Sequence, residues 1–340
     1  MPEQDNILEV SHLCQTFTSG HGSNRIVVKA VDDVSFSVRR AETFGLVGES
    51  GCGKTTTGRT IIRLYDPTSG TVRFGGRVIS GKMTRELSSY LSSNIAMIFQ
   101  DPIESLNPRM TIEEIIGEGL LLRGVSRARV HEAVVEMLHK VGLTEEHATR
   151  YPHEFSGGQR QRIGIARAMI IKPKMIIADE PVSALDVSIQ AQVINLLNDL
   201  KEEMGLTILF IAHNLSVVKY FSDRIGVMYY GKLVEVAESD DLYAKPLHPY
   251  TRALLSAIPQ PNPLTERKRQ RIDYVPERDH DYSREKPEMR EVEPEHFVYC
   301  SESELRAYEK QLGKTQRQRA KAGCFFVEFP SFLIEFGMLY

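Results

Sequence analysis

A glycine-rich loop at residues 48–55, Gly-Glu-Ser-Gly-Cys-Gly-Lys-Thr, restricts the possible folds of this chain more than any other segment. It follows the apolar run 43–47, which is typical of a buried parallel strand, and it precedes a predicted helix over 54–64. Glycines at these positions let backbone N–H groups close around phosphate oxygens at a helix N-terminus. Lys54 can then reach the β- and γ-phosphates, and the Thr55 hydroxyl can ligate Mg²⁺. The loop therefore predicts a strand–loop–helix unit that binds a nucleotide.

The pattern of apolar residues predicts an α/β fold around this loop. Residues 175–178 and 207–211 are two more short apolar runs, and apolar residues recur between them at steps of three and four. Strand, amphipathic helix and strand in this order indicate a right-handed crossover in a parallel sheet. Helical periodicity also marks 112–122 and 128–141, where no strand pattern intervenes. We therefore expect an inserted α-helical subdomain over about 101–165.

Two carboxylates follow directly after the apolar run 175–178. In a parallel sheet this strand would bring Asp179 beside the phosphate loop, where its carboxylate can hold a metal ion. Glu180 can then orient or deprotonate a water molecule that attacks the γ-phosphate. A strand that ends in Asp-Glu is common by itself, but in combination with the phosphate loop it predicts a hydrolysis site.

Composition and charge exclude several other classes of protein. Hydrophobic residues make up 41% of the chain and charged residues 26%, which supplies a large core and argues against a wholly disordered protein. The net charge of −3 does not favour binding to nucleic acid or to an anionic membrane. Four scattered cysteines favour a reducing compartment, and the first residues show no signal-peptide pattern. No apolar run is long enough to span a bilayer.

Residues 155–159, Phe-Ser-Gly-Gly-Gln, carry a first resemblance to a known family. They are similar to the LSGGQ signature of ATP-binding-cassette (ABC) ATPases, with Phe155 in place of the first leucine. A serine hydroxyl and two glycines that open a helix can form a second anion cradle. In the resembled family this cradle serves the ATP bound by the partner subunit, so the resemblance implies a dimer. The implied residues of the cradle are Ser156, Gly157, Gly158 and Gln159.

The same resemblance implies roles for residues elsewhere in the chain. Gln100 resembles the Q-loop glutamine, which senses Mg²⁺ and the attacking water, and Asp186 ends a segment similar to the D-loop. His213 resembles the switch histidine that hydrogen-bonds the γ-phosphate. Phe17 stands where the family places an aromatic ring that stacks on adenine.

The expected site therefore divides into three groups of residues. The catalytic group is Glu180, His213 and Gln100. The ligands expected for Mg²⁺ are Thr55, Gln100 and Asp179. The residues expected to contact ATP are Phe17, Gly48, Glu49, Ser50, Gly51, Cys52, Gly53, Lys54, Thr55, Thr56, Ser156, Gly157, Gly158, Gln159 and Asp186.

Three segments narrow the resemblance to the ATPases of oligopeptide/dipeptide importers. They are residues 45–55, 101–110 and 248–259, and general ATP-binding cassettes lack the last of these, which begins His-Pro-Tyr. The implied fold is a RecA-like P-loop NTPase core with an antiparallel β N-terminal part, the helical subdomain and a C-terminal extension. The implied boundaries are 7–263 for the nucleotide-binding domain and 264–340 for a partly irregular extension of the oligopeptide-transporter type.

The C-terminal extension departs from the resembled family in two respects. It holds only Cys300 and Cys324, whereas many members carry more cysteines, so a cysteine-ligated cluster is not expected. The closing segment 313–340, which ends in the aromatic residues of 324–340, matches nothing in the family. A change of composition near Pro259, with Pro261 and Pro263 close behind, indicates where the extension begins.

The resemblance implies an ATP-binding and ATP-hydrolysing subunit that energises the import of dipeptides or oligopeptides. Its implied partners are a second, similar ATPase, two transmembrane permeases and, indirectly, an extracytoplasmic peptide-binding protein. A heterodimer of ATPases is expected, although a homodimer stays open. The chain would act peripherally at the cytoplasmic face of the inner membrane, without binding nucleic acid. Two alternatives stay open, namely the same role in a nickel importer and a soluble ABC ATPase that acts on nucleic acid or ribosomes.

Overall fold

The computed structural model of the protein describes residues 5–20, 26–258 and 270–313. The composition change at Pro259, the predicted boundary at 263/264 and the aromatic segment 324–340 lie outside the described residues. Within the described ranges, none of the helices combines the length and the apolar character needed to cross a membrane.

The described residues form two sheets. The strands are β1 (Asn6–Ser19), β2 (Ile26–Arg39), β3 (Thr43–Val47), β4 (Ser69–Phe74), β5 (Arg77–Val78), β6 (Ile95–Ile98), β7 (Met175–Asp179), β8 (Thr207–Ala212), β9 (Arg224–Tyr229), β10 (Lys232–Glu238), β11 (Glu288–Glu293) and β12 (His296–Cys300). The larger sheet has the order β11-β12-β10-β9-β3-β8-β7-β6, and the smaller sheet has the order β2-β1-β4-β5. In the larger sheet β9, β3, β8, β7 and β6 run parallel, as predicted for the strands around the loop.

Helices cover both faces of the larger sheet or lie at its ends. They are α1 (Lys54–Ile61), α2 (Arg85–Asn94), α3 (Pro102–Ser105), α4 (Ile112–Leu121), α5 (Arg127–Lys140), α6 (Gly157–Met169), α7 (Val187–Met204), α8 (Leu215–Phe221), α9 (Ser239–Ala244), α10 (Pro249–Ser256), α11 (Pro276–Asp279) and α12 (Glu302–Gln311). Two short 3₁₀ turns precede α6.

The core lies on both sides of the parallel strands, which explains their continuous apolar sequences. Along β7 every residue is buried, and successive side chains point to opposite faces. Ile176 and Ala178 belong to the cluster packed under the helices, whereas Met175 and Ile177 belong to the cluster under the antiparallel sheet. Because both faces of the strand are buried, apolar residues are favoured at successive positions, and the sequence of 175–178 is therefore an unbroken apolar run.

Helices α3 to α6 begin within residues 101–165, where the sequence predicts a helical insertion. The periodic segments 112–122 and 128–141 correspond to α4 and α5, each displaced by at most one residue. Thr111 begins α4 with a capping box, in which its side chain accepts from the Glu114 amide. Helix α6 continues to Met169, beyond the predicted limit, because its apolar face packs into the same core as β7.

The described part of the C-terminal segment adds two strands to the larger sheet. β12 pairs antiparallel with β10, with Val298 opposite Glu235, and β11 pairs with β12. Glu235 is fully buried, and its carboxylate accepts hydrogen bonds from the Leu247 amide (2.8 Å) and the His248 amide (3.0 Å). It also lies 2.7 Å from Nε2 of His296, which is buried on β12. One side chain of β10 thus joins the start of α10 to the C-terminal strands.

Replacing Glu235 with alanine should lower the free energy of unfolding by about 3 kcal/mol, because two amides and an imidazole lose their shared acceptor in a buried site. Urea unfolding of the full chain, followed by circular dichroism, measures this change. Glu238→Ala is the matched control, since Glu238 lies on the same strand and is exposed, and it should change stability by less than about 0.5 kcal/mol. Equal effects of the two substitutions would contradict the anchoring role of Glu235.

Candidate active site

The carboxyl ends of four parallel strands bring the predicted catalytic residues to one edge of the larger sheet. The phosphate loop follows β3, Gln100 follows β6, Asp179 and Glu180 end β7, and His213 follows β8. Because neighbouring parallel strands end at the same edge, segments far apart in sequence meet there.

The backbone of the phosphate loop depends on glycine at three positions. Gly48, Gly51 and Gly53 have φ angles of 152°, 81° and 107°, which side chains disfavour. A Cβ atom on Gly48 would lie 2.2 Å from the Met228 carbonyl oxygen, and one on Gly53 would lie 2.2 Å from that of Ala30. At Gly51 a Cβ would meet nothing within 4 Å, so this part of the loop borders open space. The loop therefore packs closely against the carbonyl oxygens of Met228 and Ala30 at one side, and it borders open space at Gly51.

The lysine of the loop is buried within it. Lys54 is 4% exposed, and its Nζ donates hydrogen bonds of 2.8 Å to the carbonyl oxygens of Gly48 and Glu49. Cys52 is also buried, and burial raises the pKa of its thiol, which therefore stays neutral and packs as a small side chain. The remaining loop residues of the predicted set, Ser50 and Thr56, lie before and within the first turn of α1. The loop thus presents one concentrated positive charge and a helix N-terminus.

Thr55 and Asp179 meet as the sequence predicts. The Thr55 hydroxyl donates to Oδ1 of Asp179 at 2.7 Å, and Asp179 is fully buried. Oδ2 of Asp179 has no hydrogen-bond partner among the described residues, and the nearest cationic group is Nη2 of Arg59 at 3.7 Å. A buried carboxylate oxygen without a hydrogen bond, beside a threonine hydroxyl, is an oxygen-rich setting that suits Mg²⁺. These residues therefore fit the metal ion that the fold family implies.

Burial is the main influence on the ionisation of Asp179. It raises the pKa of the carboxyl, while the hydrogen bond from Thr55 and the charge of Arg59 act in the opposite direction to a smaller extent. A carboxylate with a raised pKa is costly to keep ionised in the folded chain at neutral pH. A cation bound beside it would offset this cost.

Glu180 lies between the two other predicted catalytic side chains. Its Oε2 accepts a hydrogen bond from Nε2 of Gln100 at 3.2 Å and lies 3.0 Å from Nδ1 of His213. Glu180 has a φ angle of 45°, and its amide donates to the Ile211 carbonyl oxygen at 2.9 Å. The unusual backbone angle turns the chain at the end of β7 and aims the carboxylate along the sheet edge. Glu180, Gln100 and His213 therefore form a hydrogen-bonded group next to Asp179.

Phe17 lies at the far end of β1 with its ring partly accessible. It is 38% exposed, stands opposite Val28 of β2, and contacts Tyr65 edge-to-face at a centroid distance of 5.2 Å. An aromatic ring with a free face can stack on a nucleobase.

The four signature residues occupy the start of α6, apart from the phosphate loop. Ser156 caps the helix, and its amide donates to Oε1 of Gln159 at 3.0 Å. A Cβ on Gly158 would lie 2.7 Å from Cγ2 of Ile189 on α7, and one on Gly157 would lie 3.8 Å from Leu185. Asp186 stands at the N-cap of α7 and is exposed. The signature and the D-loop segment are therefore neighbours, whose side-chain hydrogen bonds in the described part of the chain do not reach the loop.

Two residues near the site were not identified from the sequence. Arg59 lies four residues after Thr55 on α1, and this spacing places both side chains on the same helix face toward Asp179. Tyr250 accepts a hydrogen bond from the Glu49 amide at 3.2 Å. The helical spacing could have revealed Arg59, whereas no local pattern links Tyr250 to the loop.

Comparison with known proteins defines the class of this chain. Residues 31–183 match the family described as "ABC transporter". The dimeric structure of the ATP-binding cassette MJ0796 bound to ADP and Pi superimposes with a TM-score of 0.62 and 28% identity, covering 68% of this chain and 98% of that one. CbiO1 from Clostridium perfringens, part of the ABC transporter complex cbiONQ, has a TM-score of 0.62 and 25% identity, covering 71% and 92%. The chain is an ATP-binding cassette ATPase, and the predicted P-loop NTPase fold is confirmed.

Relatives with higher sequence identity place the chain in a narrower family within the ATP-binding cassette ATPases. Residues 234–283 match the family described as "Oligopeptide/dipeptide transporter, C-terminal region". The oligopeptide transport ATP-binding protein OppF of Bacillus subtilis is 57% identical, covering 89% of this chain and 99% of the relative. The dipeptide transport ATP-binding protein DppF of Lactococcus lactis and AmiF of Streptococcus pneumoniae are each 51% identical, covering 91% of this chain and 99% of the relative. The chain belongs to the family of oligopeptide/dipeptide transport ATP-binding proteins, as its sequence motifs predicted.

Asp179→Asn should raise the melting temperature of the nucleotide-free chain at neutral pH, because the amide avoids the cost of burying a charge. The folded-state pKa of Asp179 is raised, so this cost is complete above it and disappears as the pH falls to the ordinary value of 3.8. The difference between variant and wild type should therefore shrink with decreasing pH, as measured by calorimetry. Asp199→Asn, at an exposed position of α7, is the control and should show no difference. A variant less stable than wild type at neutral pH would contradict the assignment of burial as the dominant influence.

Proposed function

We propose that this chain binds and hydrolyses ATP to energise peptide import through an ABC transporter. The observation that carries the proposal is the placement of the Glu180 carboxylate between Gln100 and His213, one residue after the aspartate that bonds Thr55 of the phosphate loop. The residues proposed for binding, for holding the metal and for base catalysis thus lie at the same edge of the sheet. The printed names of the relatives OppF, DppF and AmiF support peptides as the cargo.

The loop residues perform the binding step. The backbone amides at the N-terminus of α1 face the phosphates, and the Lys54 ammonium exchanges its two carbonyl acceptors for phosphate oxygens. Phe17 stacks on the adenine ring. The phosphate chain is thereby fixed with its γ-phosphorus toward the end of β7.

Glu180 provides the base for hydrolysis. Its carboxylate accepts a proton from a water molecule whose oxygen attacks the γ-phosphorus, while the bond from that phosphorus to the bridging oxygen breaks and ADP leaves. Gln100 and His213 both contact the Glu180 carboxylate. In the proposed reaction His213 would hydrogen-bond the γ-phosphate, and Gln100 would orient the water. Little covalent chemistry is required of the protein, so positioning and charge supply most of the acceleration.

Thr55, Asp179 and Gln100 would hold the Mg²⁺ ion. When bound, the ion neutralises charge that develops on the phosphate oxygens. The buried Oδ2 of Asp179, which lacks a hydrogen bond among the described residues, supports this assignment.

A complete site requires a second ATPase subunit. Ser156, Gly157, Gly158 and Gln159 lie on α6 rather than at the loop, so they are available to the ATP of a partner, with Asp186 beside them. The dimeric arrangement named for the MJ0796 cassette supports this proposal. We infer a similar ATPase as the partner, most readily as a heterodimer, together with two permeases that an extracytoplasmic peptide-binding protein supplies. The chain would bind peripherally at the cytoplasmic membrane face.

Glu180→Gln should retain ATP binding and lower the hydrolysis rate by at least about 100-fold, because the amide cannot accept the proton from water. Phosphate release measures hydrolysis, and size-exclusion chromatography with ATP should show accumulation of a dimer that cannot reopen. Glu202→Gln, at an exposed position on α7, should hydrolyse at the wild-type rate. Unchanged hydrolysis in Glu180→Gln would refute the role of this carboxylate.

The cargo can be tested in bacterial cells whose corresponding ATPase gene has been deleted. Expression of the wild-type chain should restore uptake of a radiolabelled tetrapeptide, and the Glu180→Gln chain should not restore it. Restored uptake of radioactive nickel without peptide uptake would overturn the peptide assignment. Salt-sensitive RNA binding by the purified chain would count against a role in transport.

A further inference from the structure

The phosphate loop is contacted by a tyrosine that lies about 200 residues later in the chain. The hydroxyl oxygen of Tyr250 accepts a hydrogen bond of 3.2 Å from the backbone amide of Glu49, with a separation of 201 residues. Tyr250 is 2% exposed and is the second residue of α10, in the His-Pro-Tyr sequence that begins this helix. Burial raises the pKa of its hydroxyl, which therefore stays neutral and can accept this bond throughout the physiological range.

A second hydrogen bond from outside the loop holds it at Cys52. The Gly231 amide, in the turn between β9 and β10, donates to the Cys52 carbonyl oxygen at 2.8 Å. Tyr229, at the end of β9, packs against Tyr250 with a centroid distance of 4.4 Å. The turn and the tyrosine are thus in contact with each other, and together they hold the loop at Glu49 and at Cys52.

Aromatic contacts continue from this pair into the C-terminal segment. The Tyr274 ring lies 5.0 Å from that of Tyr229 and 5.5 Å from that of Tyr250. Tyr274 also lies 5.6 Å from the ring of His280, whose Nδ1 is 2.6 Å from Oε1 of Glu304 on α12. A continuous series of side-chain contacts therefore connects α12 to Tyr250, whose hydroxyl bonds the phosphate loop at Glu49.

The position of Tyr250 is fixed independently of the loop. Its amide donates to Nδ1 of His248 at 3.1 Å, and the His248 amide donates to Oε2 of Glu235 at 3.0 Å. His248 is 1% exposed, and burial lowers its pKa to about 3, so the ring stays neutral and keeps Nδ1 as an acceptor. The position of the Tyr250 hydroxyl is therefore set by contacts outside the loop, and the hydrogen bond to Glu49 positions the loop relative to it.

From these contacts we infer that Tyr250 is a positioning residue for ATP binding, through which the C-terminal segment sets the shape of the phosphate loop. This inference rests on the proposed function, since it requires that the loop binds ATP. Tyr250 contacts the loop through its hydrogen bond to the Glu49 amide, so it acts on nucleotide binding through the position of that amide. Preorganisation of the loop lowers the conformational cost of binding, and its loss should weaken ATP affinity.

The substitution Tyr250→Phe tests the inference, because it removes the hydroxyl and retains the ring. In the full-length chain, affinity for a fluorescent ATP derivative in the presence of Mg²⁺ should fall by about three- to tenfold, the equivalent of one hydrogen bond. Hydrogen–deuterium exchange of the nucleotide-free chain should be faster in the peptide that contains Glu49. A role in packing alone would not change the exchange of that amide.

Tyr308→Phe is the matched control, since Tyr308 is also a buried tyrosine of the C-terminal segment and packs in a separate cluster around Leu247. Both its ATP affinity and the exchange at Glu49 should equal those of wild type. Tyr274→Leu tests the connection to the C-terminal segment and should also accelerate exchange at Glu49, because the ring against Tyr250 is lost.

The outcomes separate this inference from the proposed function. A wild-type chain that binds no ATP would refute the proposed function itself. Wild-type binding together with unchanged affinity or unchanged Glu49 exchange in Tyr250→Phe would overturn the role of Tyr250. Normal Glu49 exchange in Tyr274→Leu would overturn the connection to the C-terminal segment.

Discussion

Lys54 carries a positive charge that is almost completely removed from water, and two carbonyl oxygens of its own loop are its acceptors. A buried charge is costly without compensation, and carbonyl dipoles compensate an ammonium less well than an anion does. The loop takes its shape because glycines at 48 and 53 permit a close approach to the carbonyl oxygens of Met228 and Ala30. The acceptors of the Lys54 ammonium are thus uncharged carbonyl oxygens of its own loop, and the proposed binding of a triphosphate would supply an anion in their place.

A buried group of opposite charge lies nearby in space, since Asp179 accepts a hydrogen bond from Thr55, the residue that follows Lys54. Asp179 is fully buried with a raised pKa, and the hydrogen bond from Thr55 and the nearby Arg59 offset only part of the cost. A strained electrostatic arrangement is common where a protein is shaped for a ligand rather than for its own stability. Under the proposed function, the nucleotide would compensate the buried charge of Lys54 and the metal ion would compensate that of Asp179. Stability and ligand affinity are coupled here through the same buried charges.

The sequence predicts those parts of the structure that depend on interactions between residues close together in the chain. The phosphate loop, the run before Asp179 and the periodic segments of α4 and α5 were predictable because turn geometry, burial and helix pattern act over a few residues. The strands β11 and β12 were not predicted, since Glu288–Glu293 is largely charged and its pairing depends on the distant strand β10. The hydrogen bond from the Glu49 amide to Tyr250 joins residues 201 apart, so neither the sequence around Glu49 nor that around Tyr250 predicts it.

The addition of β11 and β12 also changes what the rest of the sheet presents to its surroundings. Because β12 covers β10, the row of amides and carbonyls on β10 is paired, and the outermost strand is one in which charged residues predominate. Charged edge strands discourage other chains from adding to a sheet. At β11 the larger sheet therefore ends in a strand that disfavours edge-to-edge pairing with another copy of the chain.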